Sequence, residues 1–380
     1  MKLAFLLYKY FPYGGLQRNM LAIAREAVAR GHSVSVYCTA WEASMPIDID
    51  VVILRRRGWT NATRMANFAI DFARAASAAA ADLVVGFNKF PDLDLYYAAD
   101  TCFAWKAWHH KGRLSRLTPR SRTYLDFERQ VFGADMATEI LEVSVVERPR
   151  FVECYQTPVA RFHTLPPGIA RTRVEPDNFA ALRAATRREL QADDEECLLL
   201  ALGSGFKRKG VDRCIAALAE LHRAGGLKAR LIVAGEGNPR RLLEQARALG
   251  VADRVVFLGG RSDVPELLQA ADMLLHPAYE ENTGNVLLEA MIAGLPVLAT
   301  DVCGYAHYVT AAAMGQVIAS PFRTEALVQA IAAVARVPRA TWRERGRVFA
   351  RDETIYARPQ VAVDIIESAF ARRIARAVSA

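Results

Sequence analysis

The stretch from His276 to Val297 restricts the possible folds more than any other part of the chain. It indicates the end of a buried strand over 273–275, a loop, a helix over 284–293 and a further strand over 296–299. Two carboxylates lie within it, Glu281 in the loop and Glu289 in the helix. Ligands of open parallel sheets bind beyond the carboxyl ends of the strands, so the pattern predicts a ligand site in an α/β domain.

The two carboxylates suit a sugar nucleotide. Glu281 can accept hydrogen bonds from sugar hydroxyls, Glu289 can accept two from a vicinal diol such as ribose, and N–H groups at the helix start can bind a diphosphate between them. In the alternative interpretation, the helix dipole favours Glu281 and solvent surrounds Glu289. The apolar neighbours of Glu289 favour the ligand site, because a buried carboxylate needs partners.

A glycine-rich basic turn precedes this stretch in the same half of the chain. A strand over 197–202 is followed by Gly203-Ser204-Gly205-Phe206-Lys207-Arg208-Lys209-Gly210 and then by a helix from Val211. Glycines let a backbone approach a diphosphate, and Lys and Arg supply charge. The turn lacks the Ser or Thr of a Walker A loop. A solvated basic turn is the alternative, but the two downstream glutamates favour a diphosphate site.

The order of strands and helices predicts two domains. One βαβ unit opens the chain, with strands over 3–7 and 34–37 around a helix over 16–29, and the turn Pro166-Pro167-Gly168 interrupts the pattern. A fresh alternation follows, and 380 residues suffice for two cores. We therefore expect two doubly wound α/β domains in tandem. The strands expected besides those named lie over 83–87, 140–144, 162–165, 231–234 and 255–258.

The cysteines and the first residues favour a reducing cytoplasm. Six cysteines are scattered without a CxxC pair, which indicates neither a disulfide framework nor a zinc site. The apolar run over 3–7 is too short to span a bilayer and has no cleavage-type end.

The net charge of +8 predicts an anionic partner, and much of this charge lies over 103–129, where seven Lys or Arg alternate with aromatic residues. We expect this segment to dock on an anionic lipid surface. In the alternative, it is a solvated basic helix whose aromatic side chains pack into the domain. No nucleic-acid-binding motif is present. The residues expected to contact the membrane are Trp105, Trp108, Arg113, Arg116, Arg120 and Arg122.

Several runs together resemble the retaining glycosyltransferases of family 4, and within that family the lipopolysaccharide core glucosyltransferases. The glutamate pair with the basic turn is specific to the superfamily. The runs that carry the resemblance are Gly14-Gly15-Leu16-Gln17-Arg18, Gly86-Phe87-Asn88-Lys89, Ala98-Ala99-Asp100, Pro166-Pro167-Gly168-Ile169, Arg208-Lys209-Gly210, the stretch from Glu281 to Glu289, and Val302-Cys303-Gly304-Tyr305-Ala306-His307.

This resemblance implies the GT-B fold, in which two Rossmann-like doubly wound domains face each other across a cleft. Residues 1–167 would form the acceptor-side domain, 168–354 the UDP-sugar-binding domain, and 355–380 a helix that returns to the first domain. The implied reaction transfers glucose from UDP-glucose to a heptose of the lipopolysaccharide inner core, at the inner face of the cytoplasmic membrane. Neither a cofactor nor a metal ion is implied.

The resemblance also implies roles for residues of the donor site. Arg208 and Lys209 would hold the diphosphate of UDP, Glu289 the ribose, and Glu281 the transferred sugar together with the backbone of residues 282–284. Gly15 would close over the phosphates, Arg173 would reach the donor, and Arg261 would lie at the uracil pocket. The full donor-binding set is Gly15, Arg173, Arg208, Lys209, Arg261, Glu281, Asn282, Gly284, Val286 and Glu289.

The catalytic residues expected are Asp100, Lys209 and Glu281. Asp100 is the candidate for orienting the acceptor hydroxyl, with a loop-capping role as the alternative. Asp92 and Asp94 resemble a metal-binding pair, but they lie away from the donor motifs, and we interpret them as a turn and a cap. Two rival functions are a sugar-nucleotide epimerase of the same fold and a nucleic-acid or lipid-binding protein with a vestigial nucleotide site.

Overall fold

The computed structural model describes residues 1–12, 14–109 and 118–379, with side chains to 376. Contacts divide the chain into two units. The first comprises Met1–Gly168 and the C-terminal segment from Ala357, and the second is Ile169–Tyr356. The sequence interpretation places these divisions after residues 167 and 354.

The first unit is built on a parallel sheet of seven strands in the order β3-β2-β1-β4-β5-β6-β7. The order reverses between β1 and β4, as in doubly wound folds. The strands are β1 (Lys2–Leu6), β2 (Ser33–Cys38), β3 (Asp50–Ile53), β4 (Leu83–Gly86), β5 (Leu95–Ala98), β6 (Glu139–Glu142) and β7 (Phe162–Thr164).

Helices cover both faces of this sheet. Leu3 and Phe5 belong to an apolar cluster shared with the first and last helices of the chain, whereas Ala4 and Leu6 belong to a second cluster on the opposite face. A parallel sheet buried on both faces is typical of α/β proteins. The helices are α1 (Gly15–Ala29), α2 (Asn61–Ala78), α3 (Phe103–His109), α4 (Pro119–Phe132), α5 (Arg148–Tyr155) and, from the C-terminal segment, α14 (Arg358–Ser379).

Polar contacts join α14 to this unit. Arg358 is 1% exposed, and it donates from Nε to the Pro166 carbonyl at 2.9 Å and from Nη1 to the Tyr97 hydroxyl at 3.0 Å. Arg30, the residue after α1, donates to Asp364 at 2.6 Å. The C-terminal helix is therefore part of the first unit. No helix among the described residues is both long and apolar enough to cross a membrane.

A buried ion pair positions the loop that follows β5. Glu128 of α4 is fully buried and paired with Lys89. Its carboxylate accepts from the N–H groups of Phe103 at 2.9 Å and Ala104 at 2.8 Å, and from the Tyr155 hydroxyl at 2.8 Å. Burial raises the pKa of Glu128, but Lys89 and the two backbone N–H groups hold it below the ordinary value. Because every group has a partner, the pair is tolerated inside and fixes the start of α3.

Asp92 and Asp94 lie in the turn between β4 and β5. Asp92 has a positive φ of 59°. Asp94 accepts from the Val84 N–H at 2.8 Å and pairs with Arg373 at 3.2 Å. Asp94 therefore holds the turn to β4 and to the C-terminal helix, and Asp92 occupies a left-handed backbone position within the turn.

The second unit is built on a parallel sheet of six strands in the order β10-β9-β8-β11-β12-β13. Its strands are β8 (Cys197–Leu202), β9 (Ala229–Ala234), β10 (Val255–Gly259), β11 (Met273–His276), β12 (Val297–Thr300) and β13 (Gly315–Ile318). Its helices are α6 (Phe179–Glu189), α7 (Val211–Ala224), α8 (Arg240–Ala248), α9 (Val264–Ala270), α10 (Asn285–Ile292), α11 (Ala306–Ala311), α12 (Thr324–Ala335) and α13 (Arg339–Ala350).

The sequence pattern does not indicate β3, α2, β5 or β13. Each of these strands has four residues, and β5 is buried throughout, so it shows no alternation of apolar and polar residues. The start of α2 is capped by Thr60, whose hydroxyl accepts from the Thr63 N–H. This is a capping box with Thr in place of the usual Glu or Gln.

We expect Glu128→Gln to lower the free energy of unfolding by about 3 kcal/mol, because Lys89 would stay buried without a counter-charge. Urea denaturation followed by circular dichroism measures the change. The control is Glu153→Gln on the neighbouring helix α5, where the exposed side chain predicts a change below about 0.5 kcal/mol. Equal changes in both variants would contradict the structural role of the ion pair.

Candidate active site

The two motifs of the second unit meet at the point where its strand order reverses. β8 and β11 are neighbours in the sheet, and the chain leaves them toward opposite edges. The basic turn 203–210 follows β8, and the loop 277–284 follows β11. Both segments therefore emerge side by side at the carboxyl edge, where α/β sheets bind their ligands.

Glycine allows the two segments to approach each other. Gly210 precedes α7 with a φ of +72°, and a Cβ atom there would lie 2.0 Å from the Pro277 carbonyl oxygen. The Tyr279 N–H donates to the Arg208 carbonyl at 2.9 Å. A larger residue at position 210 would therefore push the loop away from the basic turn.

Arg213, in the first turn of helix α7, also holds the loop 277–284. Its Nη1 donates to the carbonyls of Pro277 and Ala278, both at 3.0 Å, and its guanidinium stacks 3.6 Å from the Tyr279 ring. The Tyr279 hydroxyl donates to Asp212 at 2.6 Å. Sequence reasoning missed Arg213, because its partners lie more than sixty residues away in the chain.

Three nitrogen-bearing side chains converge on one oxygen of Glu281. Arg208 Nη1 lies 2.9 Å from Oε2, Lys209 Nζ lies 3.2 Å from it, and His276 Nε2 lies 3.4 Å from it. The Glu281 side chain is 11% exposed. Burial raises its pKa, but the interaction with His276 and the charges of Lys209 and Arg208 hold it well below the ordinary value. Glu281 is therefore an anion that the basic turn stabilises.

His276 is a site residue that sequence reasoning did not assign. It ends β11 and is 1% exposed. Burial, with a smaller contribution from Lys209, lowers its pKa to about 4, so the imidazole is neutral at pH 7. The available signal was its place at the end of an apolar strand, five residues before Glu281.

The helix start after this loop presents the second carboxylate. Gly284 precedes α10 with a φ of +88°. Glu289, in the second turn, is 8% exposed, and Arg173 Nε lies 4.0 Å from its Oε2. Asn282 and Val286 are half-buried on either side of Gly284. The structure thus brings most of the predicted donor-binding residues of this unit, which come from separate segments of the chain, close together in space.

Arg261 lies just beyond β10, and its side chain is engaged in ion pairs. Its guanidinium contacts Asp263 at 2.5 Å and Glu189 at 2.8 Å. These interactions raise its pKa. In this structure the Arg261 side chain is therefore held by two carboxylates just beyond β10.

The protein resembles known glycosyltransferases in sequence and structure. Residues 183–348 match the family model described as glycosyl transferases group 1. The chain is 44% identical to the lipopolysaccharide glucosyltransferase WaaG of Escherichia coli over 368 residues, covering 96% of this chain and 98% of the relative. The D-inositol 3-phosphate glycosyltransferase of Nocardia farcinica is 32% identical over 200 residues, which cover 50% of this chain and 43% of the relative.

Solved structures agree with these sequence matches. A crystal structure of WaaG, titled as a glycosyltransferase involved in lipopolysaccharide biosynthesis, superposes with a TM-score of 0.88 at 44% identity, covering 96% of this chain and 99% of that one. HepE from Anabaena, in complex with UDP and glucose, superposes with a TM-score of 0.75 at 19% identity, covering 97% and 100% of the two chains, and this match concerns the fold alone.

The chain belongs to the WaaG family of glycosyltransferases. The prediction of a GT-B glycosyltransferase is therefore confirmed. Neither the epimerase nor the binding protein with a vestigial site is supported, because the relatives named above are glycosyltransferases.

Two further candidates lie in the first unit of this glycosyltransferase. Gly15 is the exposed first residue of α1. Asp100 is exposed in the loop after β5, and its charge, together with that of Glu128, contributes to raising the pKa of buried Lys89 against the effect of burial. Among the described residues, no group of His, Cys, Asp and Glu is arranged to hold a metal ion.

The basic aromatic segment is only partly described. Trp105 is half-buried against the apolar core, and the Arg150 guanidinium lies 4.3 Å from its ring. Trp108 is 42% exposed. Arg120 and Arg122 are exposed on α4, whereas Arg113 and Arg116 lie outside the described residues.

Two glycines at helix ends test the contact between the basic turn and the loop. Gly210 precedes α7 with a φ of +72°, and Gly250 follows α8 with a φ of +73°, where the Val251 N–H donates to the Ala246 carbonyl as in a Schellman motif. A Cβ at Gly250 would meet no atom within 4 Å. We expect Gly250→Ala to cost about 1 kcal/mol for the left-handed backbone, and Gly210→Ala about 2 kcal/mol more for the clash with Pro277. Urea denaturation compares the two variants. Equal losses of stability would show that the close approach is not required.

Proposed function

We propose that this glycosyltransferase transfers glucose from UDP-glucose to a heptose of the lipopolysaccharide inner core, with retention of configuration at the transferred sugar. The 44% identity to WaaG over 96% of the chain supports the donor and acceptor classes. The residues at the carboxyl edge of the second unit support a sugar nucleotide.

The observation that carries the proposal is the excess of positive charge at Glu281. Arg208 and Lys209 share this single carboxylate at 2.9 and 3.2 Å. Two cations with one anion leave the site net positive, and a diphosphate would neutralise it. Arg offers a fork and Lys a point charge, which together suit a diphosphate.

We extend the proposal to the other parts of the donor. Glu281, with the backbone of residues 282–284, would receive the hydroxyls of the hexose. Glu289, buried in the second turn of α10, would accept hydrogen bonds from the ribose diol. Arg173, whose Nε lies 4.0 Å from Glu289 Oε2, would reach the donor from beside this carboxylate. Gly15 would approach the phosphates, and the backbone at Arg261 would border the uracil.

We propose a front-face displacement for the chemical step. The bond from the sugar C1 to the β-phosphate oxygen breaks, and the acceptor oxygen forms its bond to C1 on the same face. The acceptor proton passes to the departing phosphate oxygen. Asp100 would orient the acceptor hydroxyl, while Arg208 and Lys209 stabilise the charge that grows on UDP. Because Arg208 and Lys209 would supply the positive charge that a divalent ion can supply to a diphosphate, we expect the reaction to need neither a divalent metal nor a cofactor.

We expect Lys209→Ala and Glu281→Gln each to reduce transfer by about 2 to 4 kcal/mol in transition-state free energy, because each removes a charged contact to the reacting groups. Radiolabelled UDP-glucose with purified lipopolysaccharide acceptor measures transfer, and excess EDTA should leave the wild-type rate unchanged. The control Lys228→Ala removes an exposed lysine just before β9, at the edge of the sheet opposite the candidate site. Wild-type rates in either site variant would refute the donor assignment. Loss of activity in EDTA that Mg²⁺ or Mn²⁺ restores would refute the expectation that no metal is needed.

We further propose that residues 103–129 dock on the anionic inner face of the cytoplasmic membrane, where the lipid-linked acceptor lies. Three exposed side chains support this, namely those of Trp108, Arg120 and Arg122. Basic residues near an anionic bilayer contribute about 1 kcal/mol each, and tryptophan favours the headgroup boundary. Nucleic acid is not an expected partner.

We expect the triple variant Trp108→Ser, Arg120→Ser, Arg122→Ser to bind liposomes containing phosphatidylglycerol at least about tenfold more weakly, since two charges and one apolar anchor are lost. Sedimentation at low and high salt measures binding. The matched control replaces Arg240, Arg241 and Leu249, which are also exposed, on the second unit. Similar losses in both variants, or binding that ignores lipid charge, would refute docking through this segment.

A further inference from the structure

A buried nitrogen without a well-formed hydrogen bond points at the carboxylate of the candidate active site. His276 Nε2 makes no hydrogen bond of normal geometry, although His276 is only 1% exposed. The nitrogen lies 3.4 Å from Glu281 Oε2, a few tenths of an ångström longer than a relaxed hydrogen bond. Leaving a buried polar nitrogen without a well-formed hydrogen bond is costly, which suggests that His276 acts in another state of the site.

Donor binding would change the surroundings of Glu281. In this structure Arg208 and Lys209 both donate to its Oε2. If they turn to a diphosphate, as the proposed function requires, Glu281 loses both cations while its side chain stays 11% exposed. A carboxylate left in such a place without donors would become protonated or move.

His276 can supply the missing donor without adding charge. Burial lowers its pKa to about 4, so it is neutral at pH 7 and does not compete with the diphosphate for counter-charge. The titratable groups that face it are Lys209, Arg208 and Glu281, with Cys303 beside Glu281. Burial raises the pKa of Cys303 to about 12, so its thiol stays protonated near neutral pH.

We propose that His276 is a positioning residue that takes over Glu281 when Arg208 and Lys209 turn to the donor's diphosphate. Its Nε2–H then closes the remaining gap to Oε2. Glu281 stays ionised and fixed, ready to accept hydrogen bonds from the hydroxyls of the hexose. This inference rests on the proposed function and adds a residue to it.

The test uses UDP and UDP-glucose as probes for the full-length protein. His276→Leu removes the donor at similar size, and His276→Gln restores an N–H near the position of Nε2. We expect His276→Leu to bind UDP within about twofold of wild type, because the diphosphate contacts remain. UDP-glucose affinity should fall about 10- to 100-fold, which is the usual effect of losing a hydrogen bond to a charged group. His276→Gln should recover most of this loss.

Two measurements separate positioning from a general structural defect. In the Glu281→Ala background, His276→Leu should have no further effect on UDP-glucose affinity, because the acceptor of its hydrogen bond is already gone. The second measurement is the pH dependence. When the pH is lowered from 8.0 to 5.5, UDP-glucose affinity should fall more in His276→Leu than in the wild-type protein. The reason is that burial raises the pKa of Glu281 once the N–H is lost. Isothermal titration calorimetry measures both effects.

The outcomes also distinguish this inference from the proposed function. A wild-type protein that binds neither UDP nor UDP-glucose would overturn the proposed function and this inference with it. A second outcome would overturn only the role of His276. In it, the wild-type protein binds both ligands, and His276→Leu lowers UDP-glucose affinity equally whether or not the Glu281 carboxylate is present. If His276→Leu does not fold, His276→Gln decides the matter, and a loss of UDP-glucose affinity as large as that of Glu281→Gln would overturn the inference.

Discussion

The carboxylate of Glu281 is the interaction on which the site of the second unit depends. It receives Arg208 and Lys209 from the segment after β8, and it belongs to the segment after β11. Without it, two cations would lie side by side at the carboxyl edge and would lose the carboxylate that offsets their repulsion. The glycine at position 210 permits this arrangement, because only a residue without a Cβ lets the two segments come this close.

The first unit secures its carboxyl edge by a related device. Glu128 is fully buried and satisfied by Lys89, a tyrosine hydroxyl and two backbone N–H groups at the start of α3. A charge in such a place is costly unless all its partners are present, so it holds the following loop in one conformation. In each unit a largely buried carboxylate, and not the apolar core alone, fixes the loops that carry the candidate functional residues.

The candidate site was predictable where its residues are close together in the chain. The glycines, Arg208 and Lys209 occupy one turn, and Glu281 and Glu289 one loop and helix, so residue type and spacing were sufficient. Arg213 and His276 were not predictable as site residues. The partners of Arg213 lie more than sixty positions away, and the importance of His276 depends on its depth beside Glu281. The ion pair of Arg261 with Glu189 likewise spans 72 positions.

The sequence by itself determined the class of fold, the two-domain organisation and the family, because apolar periodicity and short motifs are local properties. It also determined most strands of both sheets, but not the four-residue strands β3, β5 and β13, whose pairing with neighbours stabilises them more than their own pattern. Only the tertiary structure decided which charges meet and which are buried. Electrostatic partners are determined by distance in space and by loss of solvent, and neither can be derived from the spacing of residues along the chain.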